Sequence, residues 1–349
     1  MNQIEINGRG VGARNPCFII AEAGVNHNGS VELAHRMIDL ASQSGADAIK
    51  FQTFKADNLV TEDAPTAQYQ QTNLQSSETQ LDMLRRLELS ELSYAELWSH
   101  CQESHILFMS TPFDEHSADF LESLGVQVFK IPSGEITNLP YLAHIAAKGK
   151  PMIVSTGMSN LGEVQSAVET IQYAGNEQLI LLHCVSSYPA EPAEVNLRAM
   201  HTLETAFGVP VGFSDHSMGT EIPMAAVALG ACVIEKHFTM DRSLPGPDHR
   251  ASLEPAELEA MIRGIRKVEA ALGTGIKKPT AGELETALVA RKSLVAACLI
   301  PDGSLITEQM ITVKRPGNGL PPVMRNIVIG RRARLEIPAG TVLSLEMIA

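Results

Sequence analysis

A chain of 349 residues, 44% of them hydrophobic, has material for one large core and exceeds the size of a typical single-core protein, so a second small domain is expected. Its formal net charge of −13 argues against nucleic acid and anionic membrane as partners. No stretch reaches about 18 consecutive apolar residues, and the opening MNQIEINGRG lacks the regions of a signal peptide, so a soluble cytoplasmic protein is expected.

In chain order, IEINGRGVG reads as a hairpin able to plug a barrel floor. Eight short apolar runs follow: CFIIAEAG, DAIKFQT, ILFMSTPF, QVFKIPSG, PMIVSTGM, LILLHCVSSYP, VPVGFSDH and CVIEKHF. Each leads into a segment of helical spacing, such as SVELAHRMIDLASQSG with Ser30 as N-cap and Gly45 as stop. Apolar strands separated by helices imply a parallel sheet buried on both faces. Eight units in roughly 250 residues match a (β/α)8 TIM barrel better than an open doubly wound sheet. The polar connection 54–77 is long enough to be a lid or substrate loop. After Leu272 the texture changes to short β-like runs broken by Gly and Pro. The expected division is a catalytic barrel over 1–275, a linker over 276–287 and a small β-rich domain over 288–349. The last segment carries eight basic and four acidic residues, net +4, leaving −17 for residues 1–287. Cys17, Cys101, Cys184, Cys232 and Cys298 are scattered without a CxxC pair, which predicts reduced, buried thiols rather than disulfides or a cysteine metal cage.

In such barrels the C-terminal strand ends carry the chemistry. Here each end is polar: Glu22; Lys50 and Gln52; Ser110 and Thr111; Lys130 and Ser133; Ser155 and Thr156; His183, Ser186 and Tyr188; Ser214 and His216; Glu235 and His237. Strand parity puts Gly212, Ser214 and His216 on one face, and Val233, Glu235 and His237 on one face of the next strand. Two imidazoles ending adjacent strands suit a divalent ion such as Mn2+, Fe2+, Co2+ or Zn2+; the alternative is a pair of satisfied core histidines. Lys50 and Lys130 stand among apolar neighbours, where a free ammonium is costly. They suggest an anionic ligand cradled with Ser110, Thr111, Ser133, Ser155, Thr156 and Ser214, a salt bridge to Glu22 or Glu135, or a Schiff-base lysine. Asp215 alternates away from His216 and reads as structural. Turn chemistry accounts for the neighbours of His27.

The motifs AEAGVNHNG, KFQTF, STPFD, FKIPSGE, STGM, GFSDHS, EKHFT, PGPDH and VKRPGNG, in this order over nearly the whole chain, resemble the N-acetylneuraminate (sialic acid) synthase family, whose C-terminal domain is the antifreeze-like (SAF, β-clip) domain. The resemblance implies condensation of phosphoenolpyruvate with N-acetylmannosamine, releasing phosphate, or with a different N-acetylated amino sugar as in legionaminic and other nonulosonic acid synthases. It implies a divalent metal, commonly Mn2+ with Mg2+ or Co2+ as alternatives, on His216 and His237. Lys50, Lys130, Ser133, Ser155 and Ser214 would hold phosphoenolpyruvate. Glu22, Tyr188 and Asp248 would address the sugar, and Arg315 would reach it from the other subunit of a domain-swapped homodimer. Some family members have Asn where this chain has Ser186. Glu22 and Glu135 are the candidates to move the proton of the attacking water, with Glu135 as a cap or a partner of Lys130 the alternative.

Overall fold

The computed structural model describes residues 3–65 and 79–349 and divides into two compact units, Met1–Gly273 and Thr274–Ala349. Among the described residues, all eight expected runs of the first unit form strands: β3 (Phe18–Gly24), β4 (Ala48–Thr53), β5 (Leu107–Pro112), β6 (Phe129–Ile131), β7 (Met152–Ser155), β8 (Leu179–Cys184), β9 (Val211–Asp215) and β10 (Val233–His237). They pair in parallel in the order β5-β4-β3-β10-β9-β8-β7-β6, and the end strands β5 and β6 lie side by side, so the ring is nearly closed. This is the (β/α)8 architecture read from the sequence.

Parity divides each strand between two cores. Ile19, Ile49, Phe108, Phe129, Val154, Leu181, Phe213 and Ile234 pack outward against the helices. Ile20, Ala48, Met109, Val128, Ile153, Ile180, Leu182 and Val233 fill the inside, where Ile4, Ile6 and Val11 join them. Those three come from the expected hairpin, β1 (Ile4–Ile6) antiparallel to β2 (Arg9–Val11), which plugs the floor. Crowding inside the ring demands glycine at Gly212, where a Cβ would lie 2.5 Å from the Val233 carbonyl oxygen. The helix Val31–Gln43 starts at Ser30, whose Oγ accepts from the Leu33 N–H, and gives way to Gly45 at φ +84°.

Of the long connection 54–77, the part beyond residue 65 lies outside the described residues. The described part forms the short helix Ala56–Leu59, and a helix Gln80–Leu87 follows. Val25, Phe54, Met83 and Leu87 bury together with Leu59, Leu84 and Phe113 packed on them.

The second unit begins with a helix, Ala281–Ala290, across much of the stretch expected to be linker. A reciprocal capping box between Thr280 and Glu283 starts it. β11 (Ser293–Ala296) then pairs antiparallel with β12 (Ile311–Lys314) over a core that includes Leu294, Ile300, Ile337 and Leu343. All five cysteines are free thiols, as expected; four are buried, and the expected burial fails only for Cys298, which is exposed. Among the described residues no helix is long and apolar enough to cross a membrane.

Two histidines near the strand ends tie folding to pH. His27 accepts the Gly29 N–H at 3.0 Å through Nδ1, and His249 meets Thr239 Oγ1 at 2.7 Å and Asn28 Oδ1 at 3.3 Å. Both are fully buried, and burial pushes each down to about 4. An unfolded histidine titrates near ~6.5, so between there and 4 the unfolded chain binds protons that the folded chain refuses. Their stabilising contribution is complete above ~6.5 and is lost as pH falls towards 4, by a few kcal/mol in total on the order of 1.4 kcal/mol per unit and group. Urea midpoints at pH 7.5 and 4.5 check this. The gap should narrow in His249→Gln, and an unchanged gap would refute it.

Candidate active site

Above the inner apolar layer, the next inward positions of the strands form a buried polar layer at their C-terminal ends. β3 and β4 place Glu22 level with Lys50, and β10 places His237 level with Glu22. Lys50 Nζ lies 2.7 Å from Glu22 Oε2 and donates to Thr111 Oγ1 at 2.9 Å. Gln52 Nε2 donates to Glu22 Oε1 at 3.3 Å. Across the ring, Glu235 stands between the two lysines, 3.4 Å from Lys130 and 3.7 Å from Lys50, and accepts Ser214 Oγ at 2.9 Å. Glu22, Lys50, Lys130, Ser214 and Glu235 are all buried.

Burial raises Glu22, and Lys50 only partly offsets this. For Glu235 burial acts the same way, but Lys130 and Lys50 together outweigh it and hold the carboxylate ionised. Lys50 is raised because Glu22 and Glu235 overcome its desolvation, whereas Lys130 is lowered because burial exceeds the pull of Glu235. The layer therefore holds two ammonium groups against one firmly ionised and one proton-prone carboxylate, a disposition that favours an incoming anion.

These groups line a cavity of about 480 Å³. Ser155 Oγ, buried and without a hydrogen bond, lines it too. On the same rim the Gly157 N–H donates to Ser133 Oγ at 3.0 Å. Any side chain at Gly157 would run into Ser186 Oγ and sit 2.8 Å from Ser133 Oγ, filling the space between two hydroxyls that face the cavity. A hollow of about 560 Å³ at the opposite strand ends is lined by Cys17, Val211 and Cys232 and gathers no comparable constellation.

His216 and His237 meet in the cavity with ring centroids 5.3 Å apart, and the Tyr188 ring packs 4.0 Å from that of His216. His216 Nδ1 donates to the Val185 carbonyl at 2.7 Å, which leaves Nε2 as the nitrogen open to a ligand. His237 Nδ1 is buried without a hydrogen bond, and burial keeps that ring neutral. A neutral His237 with an unengaged Nδ1, beside His216 with Nδ1 held by the Val185 carbonyl, fits a divalent ion, which would compete with the proton that Cys184 and that carbonyl favour on His216 against the pull of burial; no group of three or more His, Cys, Asp or Glu gathers among the described residues, so oxygen ligands from elsewhere would complete the shell. Asp248, also lining the cavity, is pushed up to about 6 by burial.

The geometry thus brings together Glu22, Lys50, Thr111, Lys130, Ser133, Ser155, Ser186, Tyr188, Ser214, His216, His237 and Asp248. Glu135 is not among the lining residues: it ends a short 3-10 turn, Ser133–Glu135, and accepts from Asn138 Nδ2 at 2.8 Å. Arg315 lies in the second unit, exposed, just beyond β12. Four other polar residues point elsewhere. Ser110 pairs with Thr53, Thr156 bonds the Leu182 carbonyl, His183 bonds the Val195 carbonyl, and His27 is buried away from the cavity. Glu235 is the residue that sequence reasoning left unassigned; its parity with His237 placed it inside, and its position two residues earlier on β10 placed it level with Ser214. Asp215 is structural, as read: it accepts Ser217 N–H and Oγ–H and pairs with Lys236 Nζ at 2.5 Å.

The chain matches the model of the NeuB family over residues 37–277 and that of the SAF domain over 291–349. It is 50% identical to the N,N'-diacetyllegionaminic acid synthase of Legionella pneumophila over 97% of this chain and 96% of that protein. It is 37% identical to the N-acetylneuraminate-9-phosphate synthase of Homo sapiens over 98% of this chain and 95% of that one. Among solved structures it superposes on the N-acetylneuraminic acid (sialic acid) synthetase of Leptospira borgpetersenii with a TM-score of 0.74 and 38% identity, covering 82% of this chain and 95% of that one. With its barrel, its polar inner layer and its C-terminal unit all accounted for, this chain belongs to the NeuB family and carries a SAF domain.

Proposed function

We propose that the protein condenses phosphoenolpyruvate with an N-acetylated amino sugar to give a nonulosonic acid and inorganic phosphate, and that N,N'-diacetyllegionaminic acid is the product. The observation that carries the chemistry is the pairing, in one buried cavity, of a two-lysine anion cradle with two adjacent imidazoles, of which His237 keeps Nδ1 without a hydrogen bond. The product is favoured because a synthase of that name is 50% identical, whereas the human synthase stands at 37%.

Lys50 and Lys130 would hold the phosphate and carboxylate of phosphoenolpyruvate with the hydroxyls of Ser133, Ser155 and Ser214. His216 and His237 would hold a divalent ion, Mn2+ among the candidates, which supplies Lewis acidity at the sugar aldehyde. The methylene carbon of phosphoenolpyruvate bonds to the aldehyde carbon, water adds to the carbon bearing phosphate, and that C–O bond breaks as phosphate leaves. Glu22, raised by burial yet beside Lys50, is suited to receive the water proton. The test is phosphate release from phosphoenolpyruvate with a 2,4-diacetamido-6-deoxy hexose against N-acetylmannosamine. Release with neither acceptor would overturn the reading, and a chelator should abolish it until Mn2+ is restored.

The proposal extends to a domain-swapped homodimer in which Arg315 contacts the sugar bound by the other copy. If so, inactive His216→Ala and Arg315→Ala chains should recover part of the activity when mixed as heterodimers, because one of the two sites is then intact. No recovery, with mixed dimers formed, would rule the swap out.

A further inference from the structure

The cavity has two chemically different walls. The strand ends supply the charged and imidazole wall already described. Facing the same space, the segments Ala56–Leu59 and Gln80–Leu87 and their surroundings supply Leu59, Val60, Met83, Leu84 and Phe113, with Gln80 the polar exception. Phe54 and Leu87 brace this wall from a small core of their own. Of the cations nearest to it in sequence, Lys55 lies 3.0 Å from Glu88, Arg85 lies 2.5 Å from Asp57, and Arg86 is exposed and does not line the cavity. Among the described residues lining the cavity, the only lysines or arginines are Lys50 and Lys130, both held by Glu22 or Glu235.

Building on the condensation reading above, we propose that Leu59, Val60, Met83 and Leu84 form the subsite for the end of the acceptor sugar remote from its aldehyde, and that this subsite selects an uncharged, methyl-terminated end. The aldehyde end must reach the imidazole pair and the anion cradle must take phosphoenolpyruvate, so the sugar's far end is left to the remaining wall. A methyl group there buries apolar area at no polar cost. A hydroxyl gives up water for a wall on which Gln80 is the one polar side chain among the described residues, and a phosphate loses its hydration against described residues that offer no cation. For a neutral acceptor the discrimination is modest, on the order of 10–100-fold between methyl and hydroxymethyl. For a phosphorylated acceptor it is larger.

The experiment measures phosphate release from phosphoenolpyruvate, as kcat/KM, for three acceptors: a 2,4-diacetamido-2,4,6-trideoxy hexose, N-acetylmannosamine, and N-acetylmannosamine 6-phosphate. The full-length protein is compared with Val60→Thr, nearly isosteric, and Leu84→Lys; both positions are half-buried, so the substitutions are tolerable to the fold. The unaltered protein should favour the deoxy sugar by roughly tenfold or more over N-acetylmannosamine and ignore the 6-phosphate. Val60→Thr should narrow the first ratio, and Leu84→Lys should gain turnover with the 6-phosphate, while KM for phosphoenolpyruvate stays unchanged in both. Equal use of the 6-phosphate by the unaltered protein would overturn the subsite and leave the condensation standing. So would unmoved acceptor ratios in both variants. Failure of all three acceptors to release phosphate would remove the condensation reading and the subsite with it.

Discussion

Lys236→Met is expected to cost the barrel about 3–5 kcal/mol, a fall in melting temperature of roughly 6–15 °C. Lys236 follows Glu235 on β10, so by parity it leaves the inner face, and there it meets Asp215 from β9 at 2.5 Å with neither side chain exposed at all. It also donates to the Ser217 carbonyl. Burial lowers Lys236 from the ordinary lysine value, and Asp215 opposes this. With methionine in its place, the carboxylate keeps only Ser217 N–H and Oγ–H as partners and remains a buried charge without a counterion. The desolvation already incurred by Asp215 is then uncompensated, and that is the expensive case. Pairing Lys236→Met with Asp215→Asn should recover part of the loss, because no charge is then left alone. Calorimetry on the single and double variants checks this. A Lys236→Met protein as stable as its parent would show that the pair contributes nothing. Because Asp215 precedes His216 and Lys236 precedes His237, this pair also fixes which way the two strand ends turn, and with it the facing of both imidazoles.

That link between an outward ion pair and an inward site shows how far the sequence could be read. Strand parity was visible in VPVGFSDH: it put Gly212, Ser214 and His216 on one face, and the fold places all three there, with Gly212 forced by the approach of Val233. The eight strands and the hairpin plug were visible for the same reason, since period-2 and period-3.6 patterns are local properties. What parity does not contain is the distance around the ring. Glu22 and Glu135 both stood as partners for a lysine, yet register sets Glu22 level with Lys50, while Glu135 lies on a turn beyond β6 and bonds Asn138. Glu235, the bridge between the lysines, was legible as inward but not as central, because centrality depends on how two distant strands converge across the barrel. The helix Ala281–Ala290 was missed although its signal, Thr280 with Glu283 three residues on, lay in the open. Surrounding Gly, Lys and Pro made a short helix read as a tether.

Lys130→Met should show the opposite balance to Lys236→Met: catalysis lost with the fold intact. Both lysines are buried beside a carboxylate, and burial pulls both below the ordinary lysine value. They differ in what remains when the ammonium goes. Removing Lys130 leaves Glu235 with Lys50 at 3.7 Å and with the Ser214 hydroxyl, so the anion keeps a counterion and a donor. The lowered Lys130 carries its own sign for stability. A lysine whose folded-state value lies below its unfolded value opposes folding at every pH below the unfolded value, in full once pH is below the folded value, and that opposition fades only as pH rises towards the unfolded value. At neutral pH a methionine of similar length releases this penalty, so the melting temperature should hold or rise. The anion cradle, in contrast, loses one of its two cations. A charge-assisted contact to a phosphate or carboxylate is worth roughly 1.5–3 kcal/mol or more in a dry site, so kcat/KM for phosphoenolpyruvate should fall by on the order of 100-fold. The protection against heating that phosphoenolpyruvate gives the unaltered protein should shrink in step. If Lys130→Met instead unfolds while the Lys50 and Glu235 pair persists, the ammonium is a structural counterion and not part of an anion site. A folded Lys130→Met enzyme with full turnover would place phosphoenolpyruvate elsewhere. The cavity would then be doing its work with Lys50 alone, and the lowered value of Lys130 would have no functional counterpart.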